Sequence, residues 1–140
     1  MPPKKTKEKI EWTYKGETIN KIEQTPENSF AFIYKITLED CRYYLGKKYM
    51  YKPNYTSGKN KGKPKGVYPW QSYISSSVEL KKLIKEGIKY KKEILFFTFS
   101  RAETTYKETK EILNGALTDP NCLNYWVKCT VYSKHLEPNS

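Results

Sequence analysis

The chain has 140 residues, with 26 lysines and arginines against 15 acidic residues, and therefore a formal net charge of +11. With a single histidine, His135, near the end, His-centred sites such as Ser-His-Asp triads and HExxH zinc sites are nearly excluded, and three cysteines without a CxxC pair do not assemble a structural zinc site, which needs about four Cys or His ligands. No apolar run approaches the roughly 18–20 residues of a membrane span, and the first residues lack the apolar segment of a signal peptide, so an intracellular protein is expected.

The N-terminal third predicts a flexible tail followed by strands. Lysines and prolines dominate residues 1–10, a composition typical of a basic tail. Residues 10–24 predict a small hairpin or an irregular extension. Aromatic and β-branched residues over Phe30 to Thr37 and Cys41 to Tyr49, with a turn-like Leu38-Glu39-Asp40 between them, predict a central β-hairpin.

Residues 52–69 combine glycine, proline and lysine, which predicts a loop without regular structure. Together with the net charge, its lysines favour a polyanionic partner, with DNA or RNA as the leading candidate; the alternative is a charged, soluble surface with no nucleic-acid role. The segment is therefore either a solvated, disordered loop or a phosphate-contacting arm that becomes ordered on DNA, and we favour the DNA interpretation. The lysines expected to bind DNA are Lys59, Lys61, Lys63 and Lys65.

Two capping patterns predict helices in the second half of the chain. Ser76-Ser77-Val78-Glu79 places serine at the N-cap and glutamate three residues later. Lys91 to Phe99 predicts a buried strand. Ser100-Arg101-Ala102-Glu103 begins a second helix, from Arg101 to about Asn114, which Gly115 should end. Its core-facing stripe is expected to contain Ala102, Tyr106, Thr109, Leu113 and Ala116.

The resulting element order is strand, strand, helix, strand, helix, with a last strand expected over Tyr125 to Tyr132. This order predicts an α/β (α+β) fold in which helices flank a small mixed sheet that starts with the β-hairpin. The length favours one domain over residues 11–140.

Two tyrosine segments, Phe32-Ile33-Tyr34 and Tyr44-Leu45-Gly46, lie on the hairpin strands with their tyrosines ten positions apart. They are followed by Trp70-Gln71-Ser72-Tyr73, then Tyr106-Lys107-Glu108, then Leu123-Asn124. In this order the segments resemble the signatures of the GIY-YIG endonuclease superfamily, and in particular its phage-type, homing-like nucleases. The resemblance implies a GIY-YIG-like fold.

The resemblance spans about residues 30–126 and implies metal-dependent hydrolysis of phosphodiester bonds in double-stranded DNA. This reaction needs an activated water in line with phosphorus and neutralisation of the charge that develops on oxygen. Mg²⁺ (or Mn²⁺) needs hard oxygen ligands, and one carboxylate with waters and phosphate can hold it. The resemblance makes Glu108 that metal ligand, whereas the alternative is an ordinary surface glutamate. On the predicted helix Glu103 serves as capping partner and Glu111 faces solvent, while Glu108 flanks the apolar stripe.

The signature tyrosines map to Tyr34 and Tyr44. One should help to deprotonate or position the water, and the other should orient the phosphate. Because a free tyrosine has a pKa of about 10, a base role requires nearby positive charge, which Lys47 and Lys48 could supply. Gly46 permits close backbone packing or close approach to the ligand, or it simply shapes the strand end.

The chain departs from the superfamily where many members carry an arginine about ten residues after the second signature, because this position is Asn54. The only arginines are Arg42 and Arg101. The phosphate-clamping role therefore passes to Lys48, to another lysine, or to Arg42, which shares strand parity with Tyr44.

The resemblance also assigns supporting roles. Asn124 matches the late asparagine that fixes local structure near the site. The histidine that members carry near the first helix is absent, and Tyr73 with the serines Ser75 and Ser76 occupies that region. Trp70 and Tyr73 either stack on nucleotides or pack their segment onto the core.

The preferred hypothesis is a Mg²⁺-dependent endonuclease that nicks or cuts double-stranded DNA in the cytoplasm of a phage host. The first alternative is a protein of the same fold that binds nucleic acid without cleaving it, which the missing arginine favours. The second is a basic protein-interaction module that acts on a host factor. Binding to DNA, unlike binding to a protein, should weaken steeply with salt.

Overall fold

The computed structural model describes residues 10–124, in which five strands form one mixed sheet and two α-helices pack against it. The elements are β1 (Trp12–Tyr14), β2 (Glu17–Ile19), β3 (Ala31–Leu38), β4 (Tyr43–Tyr49), α1 (Val78–Lys85), β5 (Tyr90–Thr98) and α2 (Arg101–Leu113). This arrangement confirms the predicted α+β fold. Residues 1–9 of the predicted tail and the strand predicted over Tyr125 to Tyr132 lie outside the described residues. Within the described range no helix is both long and apolar enough to cross a membrane.

The sheet order β2-β1-β5-β3-β4 places the predicted hairpin at one end of the sheet. β1 is parallel to β5, and the other neighbouring strands are antiparallel. In the hairpin Tyr34 lies opposite Gly46. Because successive residues of a strand point to opposite faces, Tyr44 and Gly46 belong to one face of β4, and Leu45 and Lys47 belong to the other. β4 is the last strand of the sheet, which leaves space beside it for a site.

The larger core, which contains Leu80 of α1, is rich in aromatic residues. The rings of Trp12, Phe32 and Tyr34 pack with centroids 5.0–6.3 Å apart, and Leu80 of α1 belongs to the same cluster. Trp70 is fully buried, its ring centroid lies 6.1 Å from that of Phe32, and its carbonyl accepts the indole N–H of Trp12 at 2.8 Å. The prediction that Trp70 binds DNA is therefore wrong, because its ring cannot reach a base. The alternative, packing of its segment onto the core, is confirmed.

Both helices begin with a serine cap. The cap of α1 is Ser77, one residue later than the predicted Ser76. At α2 the cap is Ser100, as predicted, and its hydroxyl accepts the backbone N–H of Glu103 at 3.1 Å. Gly115 follows the end of α2 with a φ of 92°, a left-handed conformation that costs glycine little.

α2 faces the sheet with a different stripe from the predicted one. Thr104 and Ile112 are buried, and Glu108 lies between them at i+4 spacing, so these three residues share the sheet-facing side. The Thr104 hydroxyl forms a hydrogen bond with the Thr98 hydroxyl at 2.6 Å, so two polar side chains occupy this part of the contact between α2 and the sheet. Leu113, expected in the core, is 59% exposed. Glu108 therefore faces the sheet directly instead of flanking the buried stripe.

Residues 51–67, which we name the basic arm, form a two-stranded ladder beyond the end of β4. The backbone N–H of Lys52 donates to the carbonyl of Gly66 at 2.8 Å, and that of Lys65 donates to the carbonyl of Pro53 at 3.0 Å. Isolated bridges join Tyr51 to Val67, Asn54 to Pro64 and Tyr55 to Lys61. As expected of a loop, these residues form no helix or strand, but the backbone groups of the two halves pair with each other.

Candidate active site

An open cavity of about 990 Å³, large enough for a nucleotide, lies beside β4. Four parts of the chain contribute to it: the hairpin, the start of α1, the middle of α2 and the segment after α2. Since β4 ends the sheet, side chains from both of its faces reach this space. The polar residues that line it include Tyr34, Tyr44, Lys47, Ser76, Ser77, Glu79, Lys82, Glu108 and Asn124.

The two signature tyrosines lie close together on neighbouring strands. Their ring centroids are 6.3 Å apart, and the ring of Tyr73 lies 6.0 Å from that of Tyr34. Tyr34 is only 1% exposed, and its hydroxyl donates to Ser75 Oγ at 3.5 Å. Phenol and serine hydroxyls therefore form a polar cluster at the wall of the cavity.

Both signature phenols hold their protons strongly. Burial raises the pKa of Tyr34 well above the usual tyrosine value, and the neighbouring Tyr73 raises it further. Burial also raises the pKa of Tyr44. A hydrogen bond with Ser76 lowers this pKa, and the charge of Glu108 raises it. At neutral pH these phenols are hydrogen-bond donors, so the structure favours the positioning role over the role of a base.

Gly46 is the point at which the hairpin accommodates the Tyr34 phenol. A Cβ atom at Gly46 would lie 2.5 Å from Tyr34 Cζ and would also overlap the hydroxyl oxygen. Real Cβ contacts do not come this close, and the fully packed Tyr34 ring has little room to move. The close packing that was one of the expectations for Gly46 is present, and it is against the Tyr34 side chain.

Glu108 and Lys47 bring opposite charges to the cavity. Lys47 Nζ lies 3.9 Å from Glu108 Oε1, and the Glu108 side chain is 16% exposed. Burial raises the pKa of Glu108, and the charge of Lys47 partly offsets this increase. The carboxylate is therefore poorly solvated and incompletely compensated, a setting in which an added cation is strongly favoured.

This arrangement predicts the titration of Glu108. In ¹³C-detected NMR of the metal-free protein, the Glu108 carboxyl should titrate above the usual glutamate pKa of about 4.3. Lys47→Gln should raise that pKa further, because it removes the Lys47 charge, which lowers it. The exposed Lys85 provides the control, since Lys85→Gln should leave the titration unchanged. A Glu108 pKa at the usual glutamate value that does not change in Lys47→Gln would contradict the described geometry.

A protein-family model described as "Putative endonuclease segE, GIY-YIG domain" matches residues 12–127. The chain belongs to the GIY-YIG endonuclease family. The match includes every strand, both helices and all residues that line the cavity. No curated protein and no solved structure matches the chain.

Of the two adjacent lysines of β4, Lys47 lines the cavity of this GIY-YIG chain. The Lys48 ammonium instead lies over the rings of Tyr68 and Tyr73, 4.7 and 4.4 Å from their centroids. Lys48, expected together with Lys47 to supply positive charge at the site, is not among the residues that line the cavity, because its ammonium packs over these aromatic rings. Lys48 remains a neighbour of the site through Tyr73, whose ring contacts Tyr34.

Neither arginine occupies the position of the family's missing guanidinium. Arg42 precedes β4 in the hairpin turn, where it forms an ion pair with Asp40 at 2.8 Å, so strand parity does not direct it into the cavity. Arg101, at the start of α2, lies over the ring of Tyr49, 4.8 Å from its centroid. Lys47 lies 5.9 Å from the same ring. Arg101 and Lys47 therefore share the Tyr49 ring as a neighbour.

Asn124 fixes the segment after α2 against the edge of the sheet. Its Oδ1 accepts the backbone N–H of Leu45 at 2.9 Å, and its Nδ2 donates to the Leu45 carbonyl at 2.8 Å. A backbone bridge between Tyr43 and Cys122 extends the same attachment. The Asn124 side chain thus has the structural position expected for it, because its amide pairs with the backbone of Leu45 as a neighbouring strand would.

Asn124→Ala should lower the free energy of unfolding by about 2–3 kcal/mol, because two buried backbone groups of Leu45 would lose their partners. Chemical denaturation of both proteins measures this difference. Asn121→Ala is the matched control, since Asn121 is exposed and should change stability by less than about 0.5 kcal/mol. Equal stability of wild type and Asn124→Ala would show that the pairing contributes nothing.

Glu79 and Lys82 were not predicted as site residues, and Ser76, placed in the region of the family's missing histidine, was explained as a helix cap. Ser76 and Glu79 were assigned to a capping box, but Ser77 is the cap, and both residues line the cavity. Lys82, one turn further along α1, lines it too. The adjacent serines were the available signal, because either could cap the helix. The predicted DNA-binding residues Lys59, Lys61, Lys63 and Lys65 are exposed on the basic arm and lie outside the cavity lining.

Proposed function

We propose that this GIY-YIG chain is a Mg²⁺- or Mn²⁺-dependent endonuclease that hydrolyses phosphodiester bonds of double-stranded DNA. The observation that carries the proposal is the shared cavity of Tyr34, Tyr44, Lys47 and Glu108. It combines two neutral donors, one ammonium and one carboxylate, which are the groups needed around a phosphodiester. In a phage-infected cell such an enzyme would act on DNA in the host cytoplasm.

The donor set fits a hard divalent cation. Within residues 10–124 no group of three or more His, Cys, Asp or Glu side chains could hold a metal. Glu108 would be the protein ligand, and water and phosphate oxygens would complete the octahedral shell that Mg²⁺ prefers. When bound, the cation neutralises developing charge on oxygen and lowers the pKa of water. The incompletely compensated charge of Glu108 is the structural feature that supports this assignment.

The phenols position the reacting groups. Tyr44 shares the cavity with Glu108 and forms a hydrogen bond with Ser76, so its O–H can orient a water or a phosphoryl oxygen beside the carboxylate. Tyr34 is held rigidly by its burial and its contact with Gly46. Preorganised donors of this kind stabilise a transition state because they need no reorientation during the reaction.

Lys47 supplies the positive charge that a guanidinium supplies in many family members. Its ammonium, near Glu108, can approach a phosphoryl oxygen as a point charge but cannot form the bidentate contact of arginine. Arg101 lies close by over Tyr49 and can contact a neighbouring phosphate. The phosphate-binding role would therefore be divided between Lys47, which lines the cavity, and Arg101, which lies outside the cavity.

The second candidate is a GIY-YIG protein that binds nucleic acid without cleaving it, which the absence of an arginine from the cavity lining favours. Incubation of the full chain with supercoiled plasmid, with Mg²⁺ and separately with EDTA, distinguishes the candidates. Nicking that requires Mg²⁺ supports the nuclease. Intact plasmid together with salt-sensitive binding supports the second candidate.

A further inference from the structure

The basic arm is an ordered, exposed ribbon. Its two halves pair through backbone hydrogen bonds from the level of Lys52 and Gly66 to that of Tyr55 and Gly62, where Gly62 N–H donates to the Tyr55 carbonyl at 3.0 Å. Gly58 and Gly62 adopt φ values of 85° near its tip, which lets the chain reverse. Its lysine side chains, all exposed, are Lys52, Lys59, Lys61, Lys63 and Lys65.

The arm is anchored to the strand that carries the active-site residues. Met50, which follows β4, is fully buried, and its carbonyl accepts the backbone N–H of Tyr68 at 2.8 Å. The ammonium groups of Lys48 and Lys52 lie 4.7 and 6.0 Å from the Tyr68 ring centroid. Positive charge therefore continues from the flank of the cavity along the base of the arm.

The dimensions of a two-stranded ribbon decide which DNA groove it can enter. Paired strands lie about 4.8 Å apart, and side chains add several ångströms on each side. The major groove of B-form DNA is about 12 Å wide and admits such a ribbon, whereas the minor groove is only about 6 Å wide. The major groove of A-form RNA is too narrow and deep for it.

We propose that the basic arm enters the major groove of double-stranded DNA on one side of the cleaved phosphodiester. This inference rests on the proposed function, because it takes the cavity beside β4 as the cleavage site. Twelve residues separate Gly46 from Gly58 at the tip, so the arm reaches at most about 42 Å from the cavity. At about 3.4 Å per base pair, its contacts lie within about 12 base pairs of the cut.

The choice of groove is tested by modifying the DNA and not the protein. The result therefore does not depend on whether a protein variant folds. The wild-type chain in EDTA is titrated onto a 40-base-pair duplex at low salt, and affinity is measured by fluorescence anisotropy. Bulky substituents on C5 of the pyrimidines fill the major groove and should weaken binding at least tenfold. Saturation with a minor-groove-binding polyamide should change affinity less than about twofold. The reverse pattern, or equal affinity for an RNA duplex of the same sequence, would overturn the proposal.

A charge-matched pair of variants tests the arm itself. The arm variant carries glutamine at Lys59, Lys61, Lys63 and Lys65; the control carries glutamine at the exposed lysines Lys81, Lys85, Lys89 and Lys91. The arm variant should reduce the slope of log affinity against log salt by up to about 3.6 and lose footprint protection on one side of the cut, because each phosphate contact contributes about 0.9. The control should retain both. Equal losses in the two variants would show that only net charge matters.

The two proposals fail separately in these measurements. Binding is measured in EDTA, so an inactive chain still reports the groove that the arm occupies. Conversely, Mg²⁺-dependent nicking together with arm-independent binding would remove the arm inference and leave the nuclease in place.

Discussion

Glu108→Gln should lower the single-turnover rate of DNA cleavage by at least about 1000-fold, equivalent to about 4 kcal/mol of transition-state stabilisation. Glutamine keeps the shape of the side chain but is a poor ligand for Mg²⁺ because it carries no charge. DNA affinity measured in EDTA should change little, since the lost interaction acts on the reaction and not on binding of the duplex. Quenched-flow cleavage of a labelled duplex provides the rate.

Because Glu108→Gln should remain folded, its slower cleavage should not result from unfolding, and chemical denaturation checks this. The pKa of Glu108 is raised in the folded protein, so its stabilising contribution is complete below the pKa of the unfolded chain and is lost as pH rises through the folded-state pKa. At neutral pH the ionised carboxylate therefore opposes folding, and neutral glutamine should leave the protein at least as stable. Glu111→Gln, on the same helix but outside the cavity lining, is the control and should cleave at the wild-type rate. A cleavage rate of Glu108→Gln within tenfold of wild type would contradict the proposed role of Glu108.

Gly46→Ala should reduce cleavage by about 100-fold or more, because the new methyl group would displace the Tyr34 phenol. A displacement of about 1 Å in a positioned catalytic group can have an effect of this size. The same overlap should lower the free energy of unfolding by about 1–3 kcal/mol, as other insertions into packed cores do. Duplex cleavage kinetics and chemical denaturation measure the two effects.

Gly66→Ala is the matched control for this substitution. A Cβ atom at Gly66 would lie 3.4 Å from Lys52 Cδ, the flexible part of an exposed side chain, so the arm can accept it. Cleavage by Gly66→Ala should remain close to wild type. If both alanine variants cleave normally, the Tyr34 phenol does not need its present position for catalysis.

Residues close together in the sequence could be assigned from it, and residues joined by long-range packing could not. The hairpin was predictable because Tyr34 and Tyr44 lie on strands separated by a short turn. Glu108 was found through its place in an ordered set of motifs. The direction of the Glu108 side chain was not predicted. Hydrophobic periodicity does not detect the buried hydroxyl pair of Thr98 and Thr104, which packs α2 onto the sheet.

The other differences have the same origin. Local composition made residues 51–67 look irregular, although each half of the basic arm finds its hydrogen-bond partners in the other half. Trp70 belongs to the core through contacts with Trp12 and Phe32, which are distant in sequence. Lys48 was preferred for the phosphate-clamping role, but Lys47, on the other face of β4, lines the cavity, because a cavity beside the last strand accepts side chains from both of its faces.

Affinity cleavage with Fe²⁺ in place of Mg²⁺ tests most directly whether Glu108 and the two phenols surround one cation. With DNA bound, ascorbate and peroxide generate hydroxyl radicals at the iron, which cut the nearby polypeptide, and mass spectrometry locates the cuts. We predict cuts around Gly46 and around Glu108, competed by Mg²⁺ and absent from Glu108→Gln. Cuts confined to other parts of the chain, or unchanged in that variant, would contradict the account.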